Sequence, residues 1–207
     1  MTTLMSSTQI SKSDERVDAL GSIDELSSSI GLAKAMIKCE ILRGKLERIQ
    51  KNLITLMAGI AAPRNVKFVL DVAEIEFLES QIDKMEDSFP RKKEFILPGG
   101  CELSARIDLA RTVARRAERE LIAMDRKYAA NSNTKTYLNR LADYLYVLAR
   151  RIDYDNETGD IVKITGVPNA KAPAVTGTNA IIDEVVKQIG EGRLVDLRKA
   201  TLLIEDI

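Results

Sequence analysis

Three arginines, Arg111, Arg115 and Arg119, stand four residues apart, with Glu118 among them and Asp108 just before them. At 100° per residue in a helix, all five side chains gather on one face beside an apolar stripe. Like charges four residues apart cost an isolated helix roughly 0.2 to 0.5 kcal/mol per pair, and Glu118 alone cannot balance three guanidinium groups. The face therefore calls for anionic partners. One reading is a salt-bridge network at the surface or between subunits. The other is a polyphosphate site, because the planar guanidinium fork binds phosphate oxygens bidentately and stays charged at any relevant pH.

What the chain lacks narrows the chemistry further. Among 207 residues there is no histidine, so no histidine general base, catalytic relay or histidine-ligated metal can be built. A di-iron bundle, which needs Glu-x-x-His on two helices, is excluded on the same ground. Cys39 and Cys101 lie in unrelated segments without metal-ligand spacing and are expected to be buried thiols; no metal-ligand set is expected. Gly190-Glu191-Gly192 lacks the third glycine of a dinucleotide loop. The balance of 31 basic and 31 acidic residues gives no electrostatic footprint for nucleic acid. The longest apolar run, around Leu53 to Pro63, is far short of the roughly 20 residues of a membrane span, and no signal peptide is visible; a cytoplasmic location is expected.

The elements that must position the arginine face are helices. Hydrophobic residues make up 45% and aromatics 4%, a composition suited to aliphatic helix packing. Apolar residues every three or four positions mark five helices. The first runs through Val17, Leu20, Ile23, Leu26, Ile30, Ala33 and Ile37, starting near Ser11 or Ser13 with Ser11 and Asp14 as a capping box. The second carries Leu42, Leu46, Ile49, Leu53, Leu56 and Ile60 and stops at Pro63. The third runs from Val72 to Met85 and breaks at Phe89-Pro90. After the breaker Pro98-Gly99-Gly100, the fourth places Leu103, Ile107, Ala110, Ala114, Ala117, Leu121 and Met124 inward. The fifth does the same with Leu138, Leu141, Leu145, Leu148 and Ile152. The expectation is an all-α, antiparallel five-helix bundle over residues 1–153. Residues 154–207 form a C-terminal extension of unassigned function: a short alternating stretch at Ile161 to Thr165, a loop, and one or two helices between about Ala180 and Glu205.

The segment Phe95 to Arg119, FILPGGCELSARIDLARTVARRAER, resembles the PduO-type ATP:cob(I)alamin adenosyltransferases, whose hallmark is Leu-Pro-Gly-Gly followed by Ala-Arg-Thr and Arg-Arg-Ala-Glu-Arg. Residues 12–31, KSDERVDALGSIDELSSSIG, resemble that family's first helix, and residues 137–150, YLNRLADYLYVLAR, its last. The likeness extends over residues 2–153 and leaves the extension uncovered. It implies a homotrimer of five-helix bundles with ATP bound between subunits. By resemblance, Thr2, Thr3, Lys12, Arg115, Arg116, Ala117, Glu118, Arg119 and Asn139 bind ATP. Asp24 and Arg111 form a bridge across the subunit interface that shapes the corrinoid site, and Phe95 crowds the lower face of the corrin. Arg115, Arg111 and Asp24 are the residues on which catalysis is expected to rest.

The implied reaction moves the 5′-deoxyadenosyl group of ATP to the cobalt of cob(I)alamin or a related corrinoid, with Mg²⁺ accompanying the nucleotide and triphosphate released. It fits a chain without histidine, because reduced cobalt is itself the nucleophile and the protein has only to align it with the ribose C5′. A reductase or an adenosylcobalamin-dependent enzyme is the kind of partner protein such a reaction implies. The chain departs from the family pattern in three places. The family's Thr-Gly-Asp-x-Gly phosphate cradle has no counterpart before Thr2, a Gly-x-Arg is replaced by Ser7-Thr8-Gln9, and a histidine two residues before Ala110 is Asp108. An alternative therefore stays open: a catalytically weak or inactive trimeric homologue that binds corrinoid or a partner protein.

Overall fold

The structure, a computed structural model, describes residues 1–3, 9–63, 65–90 and 95–166. A two-stranded antiparallel ribbon, β1 (Thr2–Thr3) and β2 (Gln9–Ile10), pairs Thr2 with Ile10 and Thr3 with Gln9. Five long helices follow: α1 (Glu15–Lys34), α2 (Glu40–Ala61), α3 (Val72–Glu86), α4 (Glu102–Tyr128) and α5 (Ser132–Thr158). A 3₁₀ turn at Val66–Phe68 joins α2 to α3, and a single helical turn, α6 (Val162–Thr165), closes the described chain.

Side-chain pairs fix the helix directions. Between α1 and α4 they run Glu15 to Lys127, Ser22 to Glu120 and Glu25 to Arg116; one number rises as the other falls, so the two helices are antiparallel. The α4 to α5 pairs, Asp108 to Arg150, Glu118 to Asn139 and Asp125 to Lys135, behave the same way. Along α3 and α5 the pairs Glu79 to Arg140 and Ser88 to Arg151 rise together, so those helices are parallel. The chain thus alternates up and down through five helices, with α1 against α2, α4 against both α1 and α5, and α3 on the outer side of α5. The bundle closes where Asn52 of α2 donates to the Tyr137 hydroxyl of α5 (3.1 Å) and Arg48 grips Glu74 of α3 through two bonds of 2.8 and 2.9 Å.

The apolar stripes are the core. Ile23, Leu26, Ile30, Leu46, Ile49, Leu53, Ile107, Ala114, Leu121, Leu138, Leu141 and Leu145 are all buried. The inward alanines of α4 let its neighbours approach closely. Helix α5, packed by α4 on one side and α3 on the other, buries far more than one stripe, including Tyr137 and Tyr144, whose phenols burial pushes above their ordinary range.

The first helix begins later than its serines suggest. Asp14 is the N-cap, accepting from the Arg16 amide at 3.0 Å. The same carboxylate takes two bonds from the Arg16 guanidinium and one from the Tyr128 hydroxyl, which holds it well below the usual carboxylate range and stitches the start of α1 to the end of α4. Two further expectations change. Cys39 and Cys101 are half-buried and stand at the N-caps of α2 and α4, where Cys101 and Ser104 form a reciprocal capping box. The alternating stretch at 161–165 is a helical turn, because Ile161 and Ile164 pack inward while the Ile164 carbonyl accepts from the amides of Lys38 and Cys39. Helix α5 continues through Asp153 to Thr158. The helices expected between Ala180 and Glu205 lie outside the described residues.

Candidate active site

Helix α4 carries the arginines as the spacing requires, but its two halves treat them differently. Arg115 and Arg119 are exposed, and Arg119 donates to the Arg115 carbonyl at 3.1 Å. Among the described residues neither guanidinium meets a carboxylate. Glu118, next to them, is held by the Asn139 side-chain amide of α5 at 3.0 Å. Arg116 leaves the group and pairs with Glu25 of α1, and Ala117 is buried against the core. Two cationic forks thus stand open beside an acid and an amide, a set of donors and acceptors suited to a nucleotide's phosphates and polar edges.

In the N-terminal half the charges pair with one another, although Arg150 Nε and Asp153 Oδ1 are buried with no hydrogen-bond partner among the described residues. Asp108 is 3% exposed and Arg150 6%. One oxygen of Asp108 accepts from Arg111 Nε at 3.1 Å, the other from Arg150 at 2.5 Å, and Arg150 also reaches Asp153 at 3.0 Å. Asp108 therefore does not end the exposed face, as its spacing suggests; Arg150 draws it inward from α5. Arg111 does not meet Asp24 within one chain. The α1 to α4 register sets Asp24 level with Glu118, seven residues or about 10 Å along the helix from Arg111.

The buried pairs reach the loop that carries Phe95. A Cβ on Gly100 would lie 2.3 Å from Asp153 Oδ1, and the Gly100 carbonyl accepts from Asn156 at 3.5 Å, so only glycine lets the loop sit against α5 here. Gly99 has φ +106°, a conformation side chains rarely adopt. These two residues turn the loop so that Phe95 and Leu97 stand almost fully exposed. Beneath them a cavity of about 190 Å³ is lined by Phe89, Ile96, Leu97, Arg150, Asp153 and Tyr154 among others. It is smaller than the roughly 300 to 1,000 Å³ of drug-sized ligand sites.

The other expected ATP residues cluster elsewhere. The ribbon brings Thr2 and Thr3 beside the strand that leads to Lys12, which is exposed two residues before Asp14. Lys127 of α4, paired to Glu15, marks the level of this end. Arg115 lies 12 residues back along α4, about 18 Å from Lys127, whereas Ile10 of the ribbon packs against Val17 and Leu20 of α1, nearer the level of Arg119. Among the described residues no three acidic or cysteine side chains converge as a metal site, and no helix is long and apolar enough to cross a membrane. The sequence reasoning missed Arg150, Asp153 and the inward turn of Asp108. The run Tyr144 to Ala149 is apolar on every side of its helix and marks this level as buried, but nothing in it tells Arg150 from Arg151 or names the partner.

Comparison with known proteins agrees with this fold. Residues 1–152 match the cobalamin adenosyltransferase family model, and the chain belongs to that family. It is 36% identical over 166 residues to the corrinoid adenosyltransferase PduO of Citrobacter freundii, an alignment covering 78% of this chain and 50% of the relative. The chain thus spans about half the length of that relative. To the corrinoid adenosyltransferase of Bacillus subtilis it is 36% identical over 155 residues, 72% of this chain and 80% of the relative. A solved structure of a variant PduO-type ATP:corrinoid adenosyltransferase from Lactobacillus reuteri, complexed with cobalamin and ATP, superposes with a TM-score of 0.71 at 33% identity, covering 75% of this chain and 90% of that one.

Proposed function

We propose that the chain transfers the 5′-deoxyadenosyl group of ATP to the cobalt of a reduced corrinoid and releases triphosphate. The observation that carries this reading is the open pair Arg115 and Arg119 beside the Glu118 to Asn139 bond, on the helix that holds the Ala-Arg-Thr and Arg-Arg-Ala-Glu-Arg motifs, in a chain that matches the family over residues 1–152. The Co(I) electron pair attacks C5′, the C5′–O bond breaks, and its electrons leave with the triphosphate. Arg115, Arg119 and Lys12 stabilise the charge gathering on that leaving group. Glu118 and Asn139, with Arg116, Ala117, Thr2 and Thr3, hold the rest of the nucleotide. Mg²⁺ would accompany the nucleotide and offset charge on its phosphate groups. Phe95 lies against the corrin and hinders a lower cobalt ligand, while Arg111 shapes the same site with Asp24 of a neighbouring subunit.

A homotrimer in the cytoplasm is the form we propose for the enzyme. The offset of about 10 Å along the helix between Arg111 and Asp24 in one chain supports a bridge, and a site, between subunits. We assign residues 1–153 to the catalytic domain and 154–207 to an extension whose first turns continue the bundle. The relatives named for the transferase activity, and the neighbour holding both substrates, support catalysis over a binding-only role. The test is anoxic incubation with ATP, Mg²⁺ and chemically reduced cobalamin, following the corrinoid spectrum. Conversion to the adenosylated form is expected; no conversion together with no ATP binding by calorimetry would overturn the proposal.

A further inference from the structure

We propose that Asp108, clamped by Arg150, is a positioning residue that orients Arg111 toward the corrinoid; the inference rests on the reading of Arg111 given above. The geometry that carries it is a carboxylate with both oxygens committed. Oδ1 accepts from Arg111 Nε at 3.1 Å and Oδ2 from Arg150 at 2.5 Å. An acid three residues before an arginine on a helix is ordinarily an exposed, loosely held partner. Here Arg150, itself buried on the neighbouring helix and steadied by Asp153 at 3.0 Å, pulls the acid out of solvent and fixes it. Arg111 is the most exposed member of the chain of four, with 24% of its side chain accessible against 14% for Asp153.

The consequence for Arg111 is directional. Its Nε–H is used by Asp108, so the edge formed by the two terminal nitrogens remains for a second anion outside the chain. A guanidinium fixed at its inner edge presents that outer edge in one orientation, with less rotamer freedom to lose when the site assembles. The same buried pairs end at Gly100, where Asp153 Oδ1 meets the backbone of the Phe95 loop. Asp108 and Arg150 therefore set Arg111 and the Phe95 loop, the two parts of the proposed corrinoid site, against one common anchor.

Asparagine at 108 separates this role from simple packing. It has nearly the same shape but a single acceptor oxygen, and its NH₂ group must face one of the two guanidinium donors, so one arginine is released. Asp108→Asn is expected to raise KM for cob(I)alamin roughly 10-fold to 100-fold, the range seen when a supporting residue behind a ligand-contacting group is removed. ATP affinity by calorimetry is expected to hold at the wild-type value. Equal losses of ATP and corrinoid binding, or an unmoved corrinoid KM in a folded variant, would overturn the proposal.

A second readout needs no turnover. In the wild-type protein the Arg111 Nε–H resonance, identified by its absence from Arg111→Lys, is expected to exchange slowly with solvent. Exchange as fast as that of Arg115 would show that no clamp exists. A wild-type chain that converts no cobalamin would refute the proposed activity, whereas the Arg111 exchange rate would still decide the clamp.

Discussion

The two halves of α4 use the same residue type for opposite ends. Near the N-terminus, Arg111 is satisfied within the chain by Asp108, which Arg150 and Asp153 complete into a group of two cations and two anions. Near the middle, Arg115 and Arg119 are exposed and meet no carboxylate among the described residues. The difference is enforced by what lies opposite. Helix α5 presents Arg150 and Asp153 at the first level but the uncharged Asn139 at the second, so one set of charges is paired and buried and the other stays exposed. A buried charge whose partner is removed is costly, whereas an exposed one is solvated at little cost. The distinction therefore makes different demands on stability and on activity.

The largest expected effect breaks the closed half. Arg150→Met keeps most of the volume but leaves Asp108 and Asp153 with their common partner gone, and should cost about 3 to 5 kcal/mol. At roughly 2 to 4 °C per kcal/mol for a chain of this size, thermal unfolding should shift down by on the order of 10 °C. A midpoint at the wild-type value would mean the buried group is not a structural unit. Next comes the open half. Arg115→Ala should lower kcat by roughly 100-fold to 1,000-fold, the loss typical of one donor to a developing negative charge. Its stability should stay within about 0.5 kcal/mol of wild type, because among the described residues that exposed side chain meets no carboxylate. Unchanged turnover would show that the open arginines do not serve the leaving group.

The five helices were legible because their stripes are regular and their breakers strong; Leu42 to Ile60 reads as a helix ending at Pro63 with no help from tertiary structure. The arginine face was legible for the same reason, since spacing alone puts Arg115 and Arg119 together. What could not be read is which charges fold inward. Asp108 and Arg111 share a face by periodicity, yet one is buried and the other is not, and that depends on Arg150, 42 residues away on a different helix. Asp14 shows the same limit on a smaller scale. Its capping role competes with those of Ser11 and Ser13, and it prevails because Arg16 and Tyr128 both converge on it.

Gly100→Ala tests whether the Phe95 loop shares the anchor of the closed half. The added Cβ would overlap Asp153 Oδ1, and Asp153 cannot swing away without loosening its bond to Arg150. A cost of about 1 to 3 kcal/mol is expected, the usual range for overpacking, with a rise in corrinoid KM as the loop is displaced. Stability and KM both at wild-type values would separate the loop from the buried pairs.

The smallest effect belongs to Arg116, and it sharpens the comparison most directly because Arg116 is paired yet exposed. It meets Glu25 of α1, with 41% and 54% of the two side chains accessible. If pairing alone made an α4 arginine structural, Arg116→Ala would resemble Arg150→Met. If burial is what matters, water and counterions replace Glu25 almost as well, and the cost should be below about 1 kcal/mol. A double-mutant cycle with Glu25→Ala reads the pair separately from the proposed role of Arg116 in binding ATP, because the cycle follows unfolding without nucleotide. A coupling near zero that does not change with salt places Arg116 with the open half; a coupling of several kcal/mol would erase the boundary between the two halves of the helix.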